Sequence, residues 1–485
     1  MLNLKRPELL ARSSYVNGQW LAGGDEIIDV TNPATQKVVA HITAGGVAET
    51  REAIECAEKA MPAWAAKPAK ERANILRKWF NLIMENQEDL AQILTAEQGK
   101  TLAEARGEIA YGANYIEWFA EEAKRVDGDL IPAPSGDKRI MVIKQPVGVV
   151  ASITPWNFPN AMITRKAAPA LAAGCTFVGK PATETPLSAL ALCVLAEEAG
   201  IPAGVFNMVV GRNSRAIGGE MTSNPIVRKL TFTGSTPVGK VLMEQCASTV
   251  KKTSMELGGN APFIVFDDAD LDAAVEGALA SKYRNSGQTC VCSNRLLVQS
   301  GVYDAFVEKL HQAVSQFKLG DGTQDGVTHG PMITTKAVND VQALVDDAVA
   351  KGAHPIIGGK PSELGAYFYE PTILTNATSG MNVFKEEIFG PVAPVFKFES
   401  EAEAIAMAND TEFGLAAYFY TRDLGRIFRV GEALEYGIVG INEGIISNEM
   451  APFGGVKESG SGREGSKYGM DDYLEIKYMC LGGLS

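Results

Sequence analysis

Three short segments of the chain carry side chains suited to acyl chemistry. The first is Ser286-Gly287-Gln288-Thr289-Cys290-Val291-Cys292. A glycine shortly before a cysteine lets the backbone turn sharply and present the thiol, and a thiolate adds readily to carbonyl carbon. The same cysteine would also serve as a small apolar core residue. The second is Met255-Glu256-Leu257-Gly258-Gly259-Asn260. A glutamate followed by leucine and two glycines fits a strand end where backbone comes close to something else. A carboxylate there can deprotonate a thiol or a water, or it is a surface acid beside a turn. The third is Thr154-Pro155-Trp156-Asn157-Phe158-Pro159. Two prolines stiffen the loop, and the Asn157 amide is either an oxyanion donor or a turn residue in a left-handed conformation.

Three more segments have the layout of a cofactor site. Phe232-Thr233-Gly234-Ser235-Thr236-Pro237-Val238-Gly239 follows a strand-like run and leads into a helix-compatible one (240–246). Small residues at a helix start can lie against a pyrophosphate, although this is not the G-x-G-x-x-G fingerprint. Gly179-Lys180-Pro181-Ala182-Thr183 sets a lysine at a strand's carboxyl end, where open α/β sheets bind ligands. Glu386-Glu387-Ile388-Phe389-Gly390-Pro391 offers two acids and an aromatic before a turn. Taken singly, each is equally a plain solvated loop.

The elements that must position these segments alternate. Apolar residues at helical spacing mark residues 47–64 and 70–97, and Asp268 and Asp270 precede a run at 271–280. Strand-like runs fall at 148–153, 176–178, 205–210 and 229–232, each followed by Gly or Pro and then helix-compatible sequence. Successive βαβ units and an open parallel sheet follow, an α/β fold. Residues 124–146 and 470–485 break the rhythm with strand-like sequence. They are surface strands, or edges that pair with another subunit.

At 485 residues the chain has room for roughly three domains and a large core. Its net charge of −13 argues against nucleic-acid or anionic-membrane partners. No apolar run reaches membrane-spanning length, and no secretory signal is apparent at the N-terminus. Seven scattered cysteines fit free thiols in a reducing cytoplasm. The four histidines form no ligand spacing with cysteine or with each other, so no metal site is expected.

In order and spacing, these six segments together resemble the aldehyde dehydrogenase superfamily, from about residue 14 to the C-terminus. The resemblance implies an aldehyde dehydrogenase-like fold. Its cofactor domain is expected at 1–123 and 147–258, a catalytic domain at 259–457, and a β-strand oligomerisation arm at 124–146 and 458–485. It also implies a mechanism. Cys290, rather than Cys292, matches the family's nucleophile; Asn157 and the Cys290 N–H hold the oxyanion, and Glu256 activates the water that hydrolyses a thioester. Lys166 and Glu464 match positions linked to proton relay. Trp156, Lys180, Gly234, Ser235 and Leu257 match contacts to the cofactor, and Glu387 and Phe389 match contacts to its nicotinamide ribose and ring. NAD-preferring members commonly carry glutamate where Thr183 stands. A carboxylate there would repel a 2′-phosphate and a hydroxyl near Lys180 would tolerate one, so NADP is the expected cofactor, with NAD possible.

Within the superfamily the chain most resembles the succinate-semialdehyde dehydrogenases, on Gly462 to Gly469, Leu474 to Tyr478 and Tyr283-Arg284-Asn285. The resemblance brings Arg165, Arg284 and Ser447 to the substrate mouth. Two guanidiniums in a partly apolar tunnel are costly without an anionic partner, and they bind carboxylates in a forked geometry; each is alternatively a surface or salt-bridged arginine. The expected partner is a small aldehyde carrying its own carboxylate, with succinate or glutarate semialdehyde as alternatives. A non-catalytic scaffold on the same fold is the reading from another class. A homodimer or homotetramer is expected. Glu443 stands where relatives usually have a small residue, and Ser461 where they usually have leucine. Glu443 is expected near the site, where it would affect chain-length preference. Cys290 and Cys292 lie about 6.6 Å apart in an extended chain, near the upper limit for a disulfide, which leaves an oxidative switch or an inert second thiol.

Overall fold

Strands buried on both faces of a parallel sheet read as nearly unbroken apolar runs. Val149–Ile153, Thr176–Lys180 and Ala261–Val265 are such runs, buried almost throughout in a computed structural model that describes residues 2–21, 26–365 and 367–484. Among the described residues the chain forms two large sheets, one small three-stranded sheet and a two-stranded antiparallel pair, Ile27–Thr31 with Val38–Thr43. The first has eight strands in the order Gly460–Ser461, Lys252–Glu256, Val227–Thr233, Val149–Ile153, Thr176–Lys180, Phe206–Met208, Tyr15–Val16 and Gln19–Trp20. Its five inner strands are parallel and the outer ones antiparallel.

The order of these strands creates the site. The chain starts at Val149–Ile153, runs outward through Thr176–Lys180 and Phe206–Met208, then returns to the other side for Val227–Thr233 and Lys252–Glu256. The switch point lies between Val149–Ile153 and Val227–Thr233, and a crevice opens at the carboxyl ends of such strands. The register aligns Thr233 with Glu256 and Ile153 with Lys180, so these ends share one edge. Helix Ala161–Ala173, which follows the loop of Asn157, is buried along its whole length and ends at the left-handed Gly174. A helix buried all round must sit inside the molecule, and it carries Arg165 and Lys166 there.

The second sheet has seven strands, in the order His354–Ile357, Thr372–Ala377, Val392–Phe398, Ser293–Gln299, Ala261–Val265, Ala416–Tyr420 and Ile438–Ile441. All its pairings are parallel except that of His354–Ile357. Cys290 stands in the turn that enters Ser293–Gln299. In the small sheet Arg139–Pro146 is the central strand, paired antiparallel with Leu474–Leu481 on one side and Asp129–Ile131 on the other, and Ile476, Tyr478, Leu130 and Ile131 are exposed.

Several elements differ from expectation. The run 70–97 is two helices, Ala69–Glu85 and Gln87–Gln98, because Asn86 leaves the helical region and bonds its side-chain amide back to Leu82 O. Asn and Asp compete for backbone in this way. The helix after Ser235 starts at Thr236 rather than at residue 240, with Pro237 in its first turn, where a missing N–H costs nothing. In the tail, Lys467–Tyr473 is a 3-10 segment, and only Leu474–Leu481 is strand. Helix Leu271–Lys282 is capped by Asp270, whose carboxylate accepts from Asp272 N and Ala273 N. Among the described residues no helix is long and apolar enough to cross a membrane, and no cluster of metal ligands occurs.

Candidate active site

The loop before Cys290 takes an uncommon path. Asn285, Ser286 and Gly287 lie in succession in the left-handed region, with φ of 52°, 54° and 74°. Two non-glycine residues there store strain, which persists only where the surroundings over-determine it. Here they do. Asn285 N donates to Glu104 Oε1 (2.6 Å), and its amide donates to Asn157 O (3.1 Å) and Gln288 O (3.2 Å) while accepting from Gln98 Nε2 (3.0 Å). Ser286 Oγ donates to Gly330 O at 2.8 Å. A Cβ on Gly287 would stand 2.1 Å from Gly390 O, so no other residue fits.

The loop of Asn157 is tied to the same network. Asn157 O also accepts from Lys100 Nζ (2.8 Å), and Lys100 pairs with Glu108 at 2.6 Å, both fully buried. The other Glu108 oxygen accepts from Asn160 N and Ala161 N at the start of the following helix. The Asn157 amide donates to Gln288 O at 3.0 Å, and its Oδ1 is buried with no partner. The geometry thus presents a side-chain amide and the Cys290 turn to one cavity of about 350 Å³. Its walls include eight sequence candidates: Trp156, Asn157, Gly234, Ser235, Leu257, Cys290, Glu387 and Phe389. Met162, Thr233 and Gly258 also line it and were not singled out by sequence.

Cys290 is half-buried in the wall of this cavity, and Glu256 is buried within electrostatic reach of its thiol. Burial pushes the Cys290 thiol up to about 12; Arg165 and Arg284 pull it down, and Glu387 and Glu256 oppose them. Glu256 closes its strand with both carboxyl oxygens buried and unpartnered. Burial, and then the charge of Glu464, push its pKa well above the usual carboxylate range, against Lys166 and Arg165. Burial also works against the charge of Glu464, yet Lys166 and Arg165 hold its carboxyl below that range. Glu464 Oε1 accepts from Lys166 Nζ, and Glu464 Oε2 lies 2.7 Å from Arg165 Nη2.

The cofactor candidates flank the switch point. Lys180 is buried at its strand end; burial lowers it to about 8, and its Nζ donates to Pro181 O. Ser235 caps helix Thr236–Ala247 without spending its side chain on a cap bond, and Thr233 Oγ1 is buried without a partner. These groups fit a pyrophosphate at a helix N-terminus. Trp156 meets Phe389 edge-on at 5.6 Å. Glu387 Oε1 accepts from Gly259 N at 3.1 Å, and burial raises its carboxyl to about 7. A Cβ on Gly258 would come within 2.8 Å of Glu387 Oε2 and displace that carboxylate. Thr183 Oγ1 donates to Gly211 O at 3.2 Å, and Glu184 beside it is exposed.

The two arginines at the expected mouth differ. Arg284 is half-buried, makes no ion pair among the described residues, and stands 5.5 Å from the centre of the Phe158 ring. Arg165 corrects the expectation of an arginine without an internal counter-ion. It is 2% exposed, paired with Glu464, hydrogen-bonded through Nη1 to Tyr111 OH (2.8 Å) and stacked 4.1 Å from Phe453. Ser447 is half-buried in the loop before Asn448. Glu443 is exposed, and its carboxylate accepts from Gly444 N and Ile445 N of its own loop. Cys292 is a free buried thiol, 3.4 Å from Lys282 Nζ and donating to Lys282 O at 3.2 Å.

A cysteine and a side-chain amide at one cavity, a buried glutamate within electrostatic reach, and a crevice at the switch point define a class. The chain belongs to the aldehyde dehydrogenase family, whose model matches residues 20–479. It is 65% identical to the glutarate-semialdehyde dehydrogenase of Pseudomonas aeruginosa, with all of both chains covered. It is also 65% identical to the NADP(+) succinate-semialdehyde dehydrogenase of Escherichia coli, covering 99% of this chain and 100% of that one. Among solved structures, an NADP-dependent enzyme of E. coli superposes with a TM-score of 0.98 at 64% identity, over 99% of this chain and 100% of that one.

Proposed function

We propose that this dehydrogenase oxidises succinate semialdehyde to succinate with NADP, NAD being tolerated. The observation that carries the substrate class is Arg284, a half-buried guanidinium without an ion pair, whose charge reaches the Cys290 thiol. A partly buried cation calls for an anion, and a substrate carboxylate supplies one. Arg284 is then the principal anchor, with Arg165 and Ser447 completing the grip.

Cys290 gives up its thiol proton to solvent and adds as the thiolate to the aldehyde carbon, and the Asn157 amide and the Cys290 N–H hold the oxyanion. NADP, when bound, supplies the hydride acceptor; Trp156, Lys180, Thr183, Gly234, Ser235, Leu257, Glu387 and Phe389 would hold it. Glu256 then takes a proton from the water that releases the acid from Cys290, and Lys166 and Glu464 stand behind it to pass that proton on. The chain works in this reading as a cytoplasmic homodimer or homotetramer joined through the small sheet, whose exposed Ile476 and Tyr478 favour burial. Residues 1–123 and 147–258 form its cofactor domain, 259–457 its catalytic domain, and 124–146 and 458–485 its arm.

Glutarate semialdehyde is the second reading, favoured by the equal identity to the Pseudomonas enzyme. One methylene is worth only about 1–3 kcal/mol of discrimination. The test measures kcat/KM for C3 to C6 semialdehydes and for butanal, with NADP and with NAD. Succinate semialdehyde should lead, and Arg284→Ala should raise its KM by about two orders of magnitude while sparing butanal, as the loss of a charge-assisted anchor requires. Equal effects on both aldehydes would remove the carboxylate reading. An NAD preference of about tenfold, roughly 1.4 kcal/mol, would remove the cofactor reading.

A further inference from the structure

The hydrogens around Arg165 do not all find acceptors. Arg165 Nη1 donates to Tyr111 OH at 2.8 Å. One turn along the same helix (Leu102–Glu122), Tyr115 OH donates its single hydrogen to Asn448 O at 3.1 Å. Tyr111 OH lies 3.4 Å from Tyr115 OH, beyond the usual range for an O–H···O bond. Among the described residues the Tyr111 hydrogen therefore has no acceptor at normal distance. The ring itself is fixed, edge-on to Tyr115 at 5.3 Å and 85°. Tyr111 is half-buried, while Tyr115 is buried. A fixed phenol with an unspent hydrogen, beside a guanidinium, is a donor pair for an anion.

We propose that Tyr111 is a further specificity-determining residue, whose hydroxyl donates to the substrate carboxylate while accepting from Arg165. The proposal rests on the reading that the substrate carries a carboxylate. Tyr115 then plays a different part, because through Asn448 O it holds the loop of Ser447 against the same helix.

Tyr111→Phe keeps the ring and removes only the donor. For succinate semialdehyde its KM should rise about tenfold, the scale of one charge-assisted hydrogen bond, with kcat within about twofold and the KM for butanal unchanged. The Ki of succinate against butanal should rise by the same factor. Tyr115→Phe, which loosens the Ser447 loop but leaves the Tyr111 donor in place, should raise the KM for succinate semialdehyde by less than Tyr111→Phe does. An unchanged KM in Tyr111→Phe, an equal rise for both aldehydes, or the same selective rise in Tyr115→Phe would overturn the proposal while leaving the carboxylate reading intact. If the wild-type protein shows no preference for succinate semialdehyde over butanal, the carboxylate reading fails first and the proposal with it. Equal melting temperatures of the three proteins exclude a folding effect.

Discussion

The loop that presents Cys290 and the cluster around Glu256, whose charge reaches the thiol, are built by opposite means. Around Cys290, strained backbone at Asn285 and Ser286 is held mainly by neutral hydrogen bonds, the carboxylate of Glu104 on Asn285 N being the exception, and Gly287 is pressed against Gly390 O. Around Glu256 the holding force is charge: Glu464 ties Arg165 to Lys166, and the Glu256 oxygens are left unsatisfied. Neutral bonds keep their geometry as protons come and go, whereas a buried charge cluster moves its protons whenever one member changes. The nucleophile needs fixed aim and the base needs a movable proton, and the two constructions supply these separately.

Breaking the base alone gives the largest separation. Glu256→Gln should keep a single-turnover burst of NADPH and lose about 10²–10⁴-fold of steady-state rate, the usual contribution of a general base. Loss of the burst as well would mean that Glu256 also serves the thiol. Next comes the cluster's stability. Glu464→Gln leaves Arg165 and Lys166 buried without their counter-charge, and about 3–5 kcal/mol should be lost in denaturant unfolding. Asn285→Ala should cost less, because it removes neutral bonds only; a larger loss there would reverse the comparison. The smallest effect per step is on pH. With the Cys290 thiol pushed up to about 12, the neutral form dominates at pH 7, and thiolate grows as pH rises. Its alkylation by iodoacetamide in the cofactor-free protein should climb about tenfold per pH unit through pH 10. A plateau below pH 9 would show that Arg165 and Arg284 outweigh burial.

Much of this was legible in sequence where a feature is local. Strand ends followed by Gly, Pro or Lys announced the carboxyl edge, and Cys290, Glu256, Asn157 and Lys180 all lie at turns that interrupt apolar runs. Partnerships across the chain were not legible. Lys166 and Glu464 are 298 positions apart, and nothing in a lysine or a glutamate names its counter-ion. Hence the sequence left Arg165 open between a substrate anchor and a salt-bridged residue, and could not name Glu464 as its partner. Lys100 and Glu108, which fix the Asn157 loop, sit near a helix start like any solvated pair, and only burial on all sides distinguishes them. The break at Asn86 was missed because apolar spacing continues across it.

The switch point in the first sheet has a consequence for how such proteins diversify. The cofactor crevice is a product of strand order, so it persists whatever side chains surround it. In the function proposed above, the grip on the aldehyde falls instead to a few replaceable side chains from separate elements: Tyr111, Arg165, Arg284 and Ser447. Inheritance can therefore hold the redox half of the reaction constant and redraft the substrate half one residue at a time. Relatives 65% identical to this chain and named for aldehydes one methylene apart are what that division of labour allows.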